Sequence, residues 1–364
     1  MKAQTAFAVA FIAALFLPPL LFDRASVVSQ KENRNLAQKP ALITEGGGMN
    51  REYFSQLDAW LSDRFGLREP LVALDDFIND HFQTYHVIHS VLKGKDGWCF
   101  YLGDDGVSNL ADFFKTNLLD EATLSLIASN VRVTADWCAE HGIKVLYLIA
   151  PNNHSIYGEF YPVERPDGIT RADQISAAIA KEGVDCLFPR DLLLSKKAVA
   201  PFRLYYQLNE HWNELGAYYV YEVLREKIKA FFPNSSFPEI SYRIDIKTGI
   251  FDDGKFAFLP MKEKNHVSVT PDGAEFSDFY EYIKNEGVNG VHTRNTNSTL
   301  PRALVFRDSF FTALEPFVSP LFSEVEYVWK DFTEADKERI LEYKPDIVIF
   351  EHVERHAPNL GLVR

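Results

Sequence analysis

A nearly continuous apolar run in the middle of the chain limits the folds that it can adopt. Ile143 to Ala150 follows a helical pattern over residues 120–141, which ends at His141-Gly142. A run that is apolar at almost every position is typical of a strand buried on both faces of a parallel sheet. Similar runs occur later in the chain, at 303–306, 325–329 and 346–350. Strands that alternate with helices predict an α/β domain with a mostly parallel central sheet flanked by helices.

The N-terminus carries a second apolar run, from Thr5 to Phe22, with Lys2 before it and Asp23-Arg24 after it. The run is long enough to span a bilayer. Residues 1–24 therefore form either a retained signal anchor or a cleaved signal peptide, and the absence of an evident small-x-small cleavage site favours the anchor. A helix buried in the domain core is a third interpretation. Both the anchor and the signal peptide export the rest of the chain.

Composition divides the remaining chain. Residues 25–48 are polar and end in Gly46-Gly47-Gly48, which predicts a flexible tether. Residues 49–364 are predicted to form one domain. Within it, residues 233–300 are rich in Gly, Asp, Asn and Lys, and we expect an irregular insertion with short strands exposed at one edge.

Charge and cysteine spacing exclude several classes of function. A net charge of -13 without a basic stripe argues against a nucleic-acid partner. The three cysteines, Cys99, Cys138 and Cys186, show no metal-binding spacing. We expect buried thiols, with a bridge between two of them as the alternative. No glycine-rich phosphate loop is present, so the sequence predicts neither a metal nor another cofactor.

A serine follows one of the predicted strands. Leu304 to Phe306 is apolar and β-prone, and Arg307-Asp308-Ser309 comes directly after it. At such a strand-to-helix turn a serine presents its hydroxyl at the rim of the sheet, where backbone N–H groups of the helix can stabilise an oxyanion. Alternatively, Asp308 or Ser309 is simply the N-cap of that helix.

A histidine lies at the predicted start of a long helix over residues 210–232. Asn209 is the expected N-cap, which places His211 in the first turn. The positive end of the helix disfavours protonation of an imidazole, as a general base requires. A purely structural histidine is the alternative. Trp212 is expected to pack in the core, or else to stack on a sugar ring at the rim of a site.

Several segments resemble, in the same order, sequence blocks of the SGNH-hydrolase-like proteins of the alginate O-acetyltransferase AlgJ/AlgX type. They are Glu32-Asn33-Arg34, Asp63-Arg64-Phe65-Gly66-Leu67-Arg68, Gly94-Lys95-Asp96-Gly97-Trp98, the stretch from Ala150 to Tyr157, the stretch from His211 to Ala217, Arg307-Asp308-Ser309-Phe310, and the stretch from Pro345 to Glu351 with Glu354-Arg355. Each block is weakly specific alone. Their common order identifies the chain as similar to this family from about residue 32 to residue 356.

The resemblance implies a permuted SGNH-hydrolase-like fold with Ser309 as nucleophile and His211 as its base. It implies O-acetylation of an exported or cell-envelope polysaccharide at the periplasmic face of the bacterial inner membrane or in the periplasm. A membrane-bound O-acyltransferase would then supply the acetyl group. The family's triad acid falls on Asn209, which departs from the pattern. A carbohydrate esterase and an inactive, polysaccharide-binding relative therefore stay open as alternatives.

Other residues near these blocks are candidates for supporting roles. Glu351 and Asp308 are the candidate acids to replace the missing triad carboxylate in a site of this kind. Arg307 is expected either to line the site or to point away from it. Glu354-Arg355 forms either a structural ion pair or part of the site that binds the acyl oxygen. Together with Trp212 these residues make up the predicted substrate-binding or oxyanion set.

Overall fold

The computed structural model describes residues 21–22, 28–29, 34–43, 48–50, 52–66, 87–88, 90–103, 108–252, 254–256, 259, 261–285 and 290–361. The chain divides into two compact units, Met1–His86 with Phe256–Met261, and Val87–Lys255 with Lys262–Arg364. The predicted single domain over residues 49–364 thus spans parts of both units.

In the first unit, the described residues include a short antiparallel pair of strands and a helix. Strand β1 (Val28–Ser29) pairs with β2 (Arg34–Asn35), and α1 covers Tyr53–Asp63. The backbone N–H of Ala37 donates to Oδ2 of Asp63 at 2.6 Å. Among the described residues, no helix combines the length and hydrophobicity that a bilayer crossing requires. The predicted anchor at 5–22 lies outside the described residues except for its last two positions.

The second unit contains the elements of the predicted α/β domain. Its strands are β3 (Val87–Ile88), β4 (Val91–Lys93), β5 (Cys99–Tyr101), β6 (Lys144–Ala150), β7 (Cys186–Leu187), β8 (Tyr242–Phe251), β9 (Glu263–Pro271), β10 (Tyr280–Asn285), β11 (Val291–Asn295), β12 (Arg302–Arg307), β13 (Glu324–Trp329) and β14 (Ile347–Val353). Its α-helices are α2 (Ser108–Phe114), α3 (Glu121–Glu140), α4 (Asn153–Ile156), α5 (Arg171–Lys181), α6 (Arg190–Lys197), α7 (Glu214–Phe231), α8 (Glu315–Val318) and α9 (Asp336–Tyr343).

The central sheet is mixed, with a parallel core. Its spatial order is β10-β11-β13-β12-β14-β6-β7. The five strands from β13 to β7 are parallel, whereas β10 and β11 are antiparallel to their neighbours. The predicted α/β class with a mostly parallel sheet is therefore confirmed. Because parallel strands expose their carboxyl ends at the same edge, β12, β14 and β6 deliver the residues that follow them to one side of the domain.

Helices cover both faces of this sheet, as the alternation along β6 shows. Leu146, Leu148 and Ala150 belong to one buried cluster, together with apolar residues of α7. Tyr147 and Ile149 belong to a second cluster, together with apolar residues of α3, α5 and α9. Successive side chains of a strand point to opposite faces, so a strand apolar at nearly every position is what a sheet covered twice requires.

The region at 233–300 differs from the expected irregular insertion. Strands β8 and β9 form an antiparallel hairpin, in which they are ten and nine residues long, and β10 and β11 extend the central sheet. Most of β8 is exposed or half-buried, so its sequence mixes charged and apolar residues. A strand of this kind carries no long apolar run, which is why the composition misled the prediction.

The long helix after His211 begins later than predicted. Helix α7 starts at Glu214, and its N-cap is Asn213, whose side chain accepts hydrogen bonds from the backbone N–H groups of Leu215 and Gly216. Neither Asn209 nor His211 is part of the helix. An antiparallel bridge between Tyr205 and Trp212 shapes the preceding segment instead.

Candidate active site

The turn after β12 positions Ser309 at the edge of the sheet. The strand ends at Arg307, and a 3-10 helix over Ser309–Ala313 follows. Asp308 is its N-cap, because Oδ1 of Asp308 accepts from the N–H of Phe310 at 2.9 Å. The other oxygen, Oδ2, accepts from the N–H of Val353 at 2.7 Å. Asp308 thus ties the turn to β14, and the N–H of Phe310 is engaged rather than available for an oxyanion.

The side chains of His211 and Ser309 lie close together, although the two residues are far apart in the sequence. Nε2 of His211 lies 2.7 Å from Oγ of Ser309, and both side chains are half-buried. Beside them, the indole Nε1–H of Trp212 donates to the carbonyl of Phe310 at 2.8 Å. This second bond joins the same two segments, one residue further along each segment. The sequence interpretation that brings a serine and a histidine together is therefore matched by the geometry.

Asn209 lies at the other nitrogen of the imidazole. Its Oδ1 is 2.6 Å from Nδ1 of His211 and also accepts from the backbone N–H of His211 at 3.2 Å. A backbone N–H is always a donor, so it fixes the amide of Asn209 with the oxygen toward the ring. Nδ1 must then carry the proton, and Nε2 is left as an acceptor for the hydroxyl of Ser309. This is the tautomer that a general base requires.

The surroundings of His211 favour its neutral form. Burial lowers the pKa of His211 from 6.5 to about 4, the carboxylate of Asp308 acts in the opposite direction, and the positive charge of Arg355 acts with burial. A base of low pKa is unprotonated at neutral pH and ready to accept a proton, although its driving force for accepting one is small. The depressed pKa comes from desolvation and not from the helix end that the sequence predicted.

A cavity of about 660 Å³ opens beside these residues. On one side it is bordered by the segment that holds His211, and on the other by residues 309–317. Ser268, Val269 and Thr270 of β9 and the ring of Phe276 line it as well. The hydroxyl of Ser309 therefore faces a space large enough for a small ligand or for part of a polymer.

Comparisons with known proteins show which proteins this chain resembles. Residues 91–248 match the family model described as SGNH hydrolase-like domain, acetyltransferase AlgX. This part of the chain is therefore similar to the AlgX-type acetyltransferase domains. This match includes Asn209 and His211 and ends before Ser309. A search among curated proteins gives no match. The predicted resemblance to the AlgJ/AlgX type is confirmed.

Solved structures share the fold of this chain at low sequence identity. The O-acetyltransferase domain of Pseudomonas putida AlgJ is 18% identical, with a TM-score of 0.50 over 74% of this chain and 92% of that one. Bacillus cereus PatB1 is 13% identical, with a TM-score of 0.53 over 77% of this chain and 98% of that one. A second PatB1 structure, with a sulfonyl adduct, has the same TM-score and identity and covers 99% of that chain. These likenesses confirm the SGNH-hydrolase-like α/β fold.

Arg307 supports the turn that carries Ser309. Its Nη2 pairs with Oε1 of buried Glu315 at 2.5 Å, and its Nη1 donates to Oγ1 of Thr312 at 2.8 Å. The guanidinium also lies over the ring of Trp329, 4.3 Å from its centroid. Of the two orientations that the sequence left open, the structure has Arg307 directed away from the cavity.

Glu351 is fully buried at the carboxyl end of β14. Its Oε2 accepts from the backbone N–H of Asp308 at 3.0 Å. Burial, together with the nearby charge of Asp308, raises the pKa of Glu351 well above its ordinary value. Glu351 thus anchors the turn below the nucleophile, while Asn209 occupies the position next to Nδ1 of His211.

Glu354 and Arg355 do not form the expected ion pair with each other. Oε2 of Glu354 accepts from Oγ of Ser155 at 2.6 Å and from the N–H of Asn152 at 2.9 Å. Nη2 of Arg355 lies 3.6 Å from Oε1 of Glu210 instead. Adjacent residues in the helical turn after β14 point in different directions, so sequence adjacency is a poor guide to pairing there.

Trp212 packs in the core, as the first of its two interpretations requires. Its side chain is 1% exposed and contacts the ring of Phe310 edge-on, at 5.4 Å between centroids.

All three cysteines are free thiols. Within the described ranges, no cluster of three or more His, Cys, Asp or Glu side chains has the arrangement of a metal site.

Sequence reasoning missed the part of the site that β9 contributes. Ser268 and Thr270 border the cavity, and buried Val267 and Val269 alternate with them. This two-residue period was visible in the sequence from His266 to Thr270 and is a strand signal. It also missed Glu214, whose Oε2 accepts from the N–H of Val269 at 2.8 Å and fastens β9 to the first turn of α7.

Proposed function

We propose that this protein is a polysaccharide O-acetyltransferase that works through an acyl-enzyme on Ser309. The observation that carries the proposal is the hydrogen-bonded series from Asn209 through His211 to Ser309, with distances of 2.6 and 2.7 Å, at the wall of an open cavity. The AlgX-type family model, described as an acetyltransferase, supports the same reaction class.

The chemistry follows from the geometry. Nε2 of His211 accepts the proton of Ser309 as Oγ attacks the carbonyl carbon of an acetyl ester. The donor's alcohol then leaves with the proton from His211, and the acetyl group stays on Oγ. A sugar hydroxyl next gives its proton to Nε2 and attacks the acetyl carbon. Oγ of Ser309 leaves and regains its proton, which returns the site to its starting state.

The acceptor in this proposal is an exported or cell-envelope polysaccharide. The apolar run at residues 5–22 would hold the protein at the periplasmic face of the inner membrane, or direct it to the periplasm. A membrane-bound O-acyltransferase would supply the acetyl group. Membrane fractionation of cells that express the full chain tests the location, and recovery only in the soluble fraction contradicts the anchor.

Trapping the acyl-enzyme tests the mechanism. Incubation with an activated acetyl ester should add the mass of one acetyl group, and peptide mapping should place it on Ser309. A sulfonyl fluoride should label the same residue and block acetylation. The Ser309→Ala variant is the control and should take neither label. A folded wild-type protein that stays unlabelled contradicts the proposal. If Ser309 is acetylated but the acetyl group passes only to water, whichever sugar acceptor is added, the protein is an esterase.

A further inference from the structure

We infer that the acceptor held in the cavity beside Ser309 is an uncharged glycan and not a polymer of uronic acids. The inference rests on the proposed function and narrows its substrate class. It comes from the chemistry of the cavity wall, whose described residues are mainly hydroxyl-bearing, aromatic and aliphatic, with one acidic side chain.

The part of the cavity wall formed by described residues carries neither lysine nor arginine, and its one acidic side chain is Glu214. Proteins bind carboxylate-bearing ligands with Arg or Lys, often in bidentate pairs. A chain of uronic acids placed here would bring its carboxylates close to a glutamate with no cation on the wall to offset them.

The arginines closest to the serine are committed elsewhere. Arg307 is 3% exposed and pairs with Glu315, and Arg355 is 8% exposed and pairs with Glu210. Releasing Arg307 toward a ligand would remove the ion-pair partner of the buried carboxylate of Glu315, which is costly. The whole chain also carries a net charge of -13, so the protein does not attract a polyanion from solution.

The groups that are present suit a neutral sugar. Ser268 and Thr270 place two hydroxyl-bearing side chains along one edge of the hairpin, and Tyr206 adds a phenol on the side of His211. Phe276 is half-buried, and its ring borders the same space. Hydroxyls exchange hydrogen bonds with sugar hydroxyls in either direction, and an aromatic ring packs against the apolar face of a pyranose.

A binding experiment separates this inference from the proposed function. The Ser309→Ala variant, which cannot be acylated, is titrated with a neutral β-linked glucose oligosaccharide and with an oligouronate of equal length, at low salt. We expect the neutral ligand to bind at least about tenfold more tightly, since juxtaposed like charges cost several kcal/mol. Equal or tighter binding of the oligouronate, or no binding of either at millimolar concentration, overturns the inference.

A charge introduced on the wall provides the matched test. Thr270→Lys should improve oligouronate binding by about tenfold and so reduce or abolish the preference for the neutral ligand. Thr248→Lys is the control, because Thr248 is exposed on β8 of the same hairpin and does not line the cavity. It should leave both affinities unchanged. An equal effect of the two variants would show that net charge decides, and would overturn the inference. Failure to trap the acyl-enzyme, with the neutral preference intact, would count against the transferase alone.

Discussion

Oδ1 of Asn209 accepts two hydrogen bonds from His211, one from Nδ1 of the ring and one from the backbone N–H. The bond from the backbone N–H determines which atom of the Asn209 amide faces the imidazole ring. In a serine protease, an asparagine in place of the triad aspartate lowers kcat by about four orders of magnitude because it favours the wrong tautomer. Here the backbone N–H holds the amide oxygen toward the ring, so that Nδ1 is the protonated nitrogen. Asn209 thus orients the base, but it lacks the charge that would stabilise an imidazolium.

Asn209→Asp should therefore increase the rate of Ser309 acetylation at neutral pH. The increase should be well below the roughly ten-thousandfold difference in kcat between a serine protease with its triad aspartate and one with an asparagine in its place. A carboxylate stabilises the imidazolium that forms as Ser309 loses its proton. Stopped-flow acylation with an activated acetyl ester measures the effect. Asn209→Ala is the comparison and should be slower than wild type, because nothing then fixes the ring. If the aspartate variant is no faster, another group orients His211.

The pH dependence of acylation should report the low pKa of His211. Only the neutral imidazole accepts the proton of Ser309, and burial lowers this pKa to about 4. kcat/KM for the acetyl ester should thus be flat through neutral pH and fall about tenfold per unit below about pH 4. In Asn209→Asp, the added negative charge favours the protonated ring, so the fall in kcat/KM should begin at a higher pH. A fall that begins near pH 6.5 in the wild-type protein, at the ordinary pKa of histidine, would be inconsistent with a desolvated base.

The bond between Trp212 and Phe310 should contribute to stability as well as to alignment. Trp212→Phe removes the indole donor from the buried carbonyl of Phe310. We expect a loss of about 1 kcal/mol in the free energy of unfolding, together with slower acylation of Ser309. Urea denaturation and the acylation assay measure the two effects. Trp137→Phe, at a half-buried position of α3, is the control. Equal losses of stability and of acylation rate in the two variants would contradict a specific role for the hydrogen bond between Trp212 and Phe310.

The buried pair of Arg307 and Glu315 should be the most sensitive ionic contact near the site. Burial raises the pKa of Glu315 to about 7, and the charge of Arg307 acts against this rise. Arg307→Met removes that partner and should cost about 3–5 kcal/mol of stability. Adding Glu315→Leu should recover most of it, because an apolar pair of similar size replaces the charges.

Arg132→Ala is the control for this pair. Arg132 and Asp136 form an exposed i,i+4 ion pair on α3, where solvent screens the charges. This variant should leave the urea midpoint nearly unchanged. A loss as large as that of Arg307→Met would mean that burial is not what makes the pair matter.

The sequence predicted the sheet and the two central residues for physical reasons that can be named. Ile143 to Ala150 is apolar because it is covered on both faces, and that pattern survives in a single sequence. Ser309 directly follows such a strand, so its place at the sheet edge was predictable. That His211 would reach it was inferred from a family resemblance and not from periodicity.

What the sequence did not reveal depends on contacts between distant segments. The late start of α7 follows from the bridge between Tyr205 and Trp212, and no local pattern encodes it. The pairing of Arg307 with Glu315, and of Arg355 with Glu210, depends on how turns are directed after the strands end. The strand β8 was missed because a largely solvated strand needs no apolar run.

The hydrogen bond between Glu214 and Val269 fastens strand β9 to the start of α7, close to His211 in the chain. One wall of the cavity and the histidine thus share a support, whereas Ser309 follows a separate strand. If the proposed function holds, exchange of the cavity-lining side chains of β9 would change the preferred glycan and leave the turn that carries Ser309 as it is.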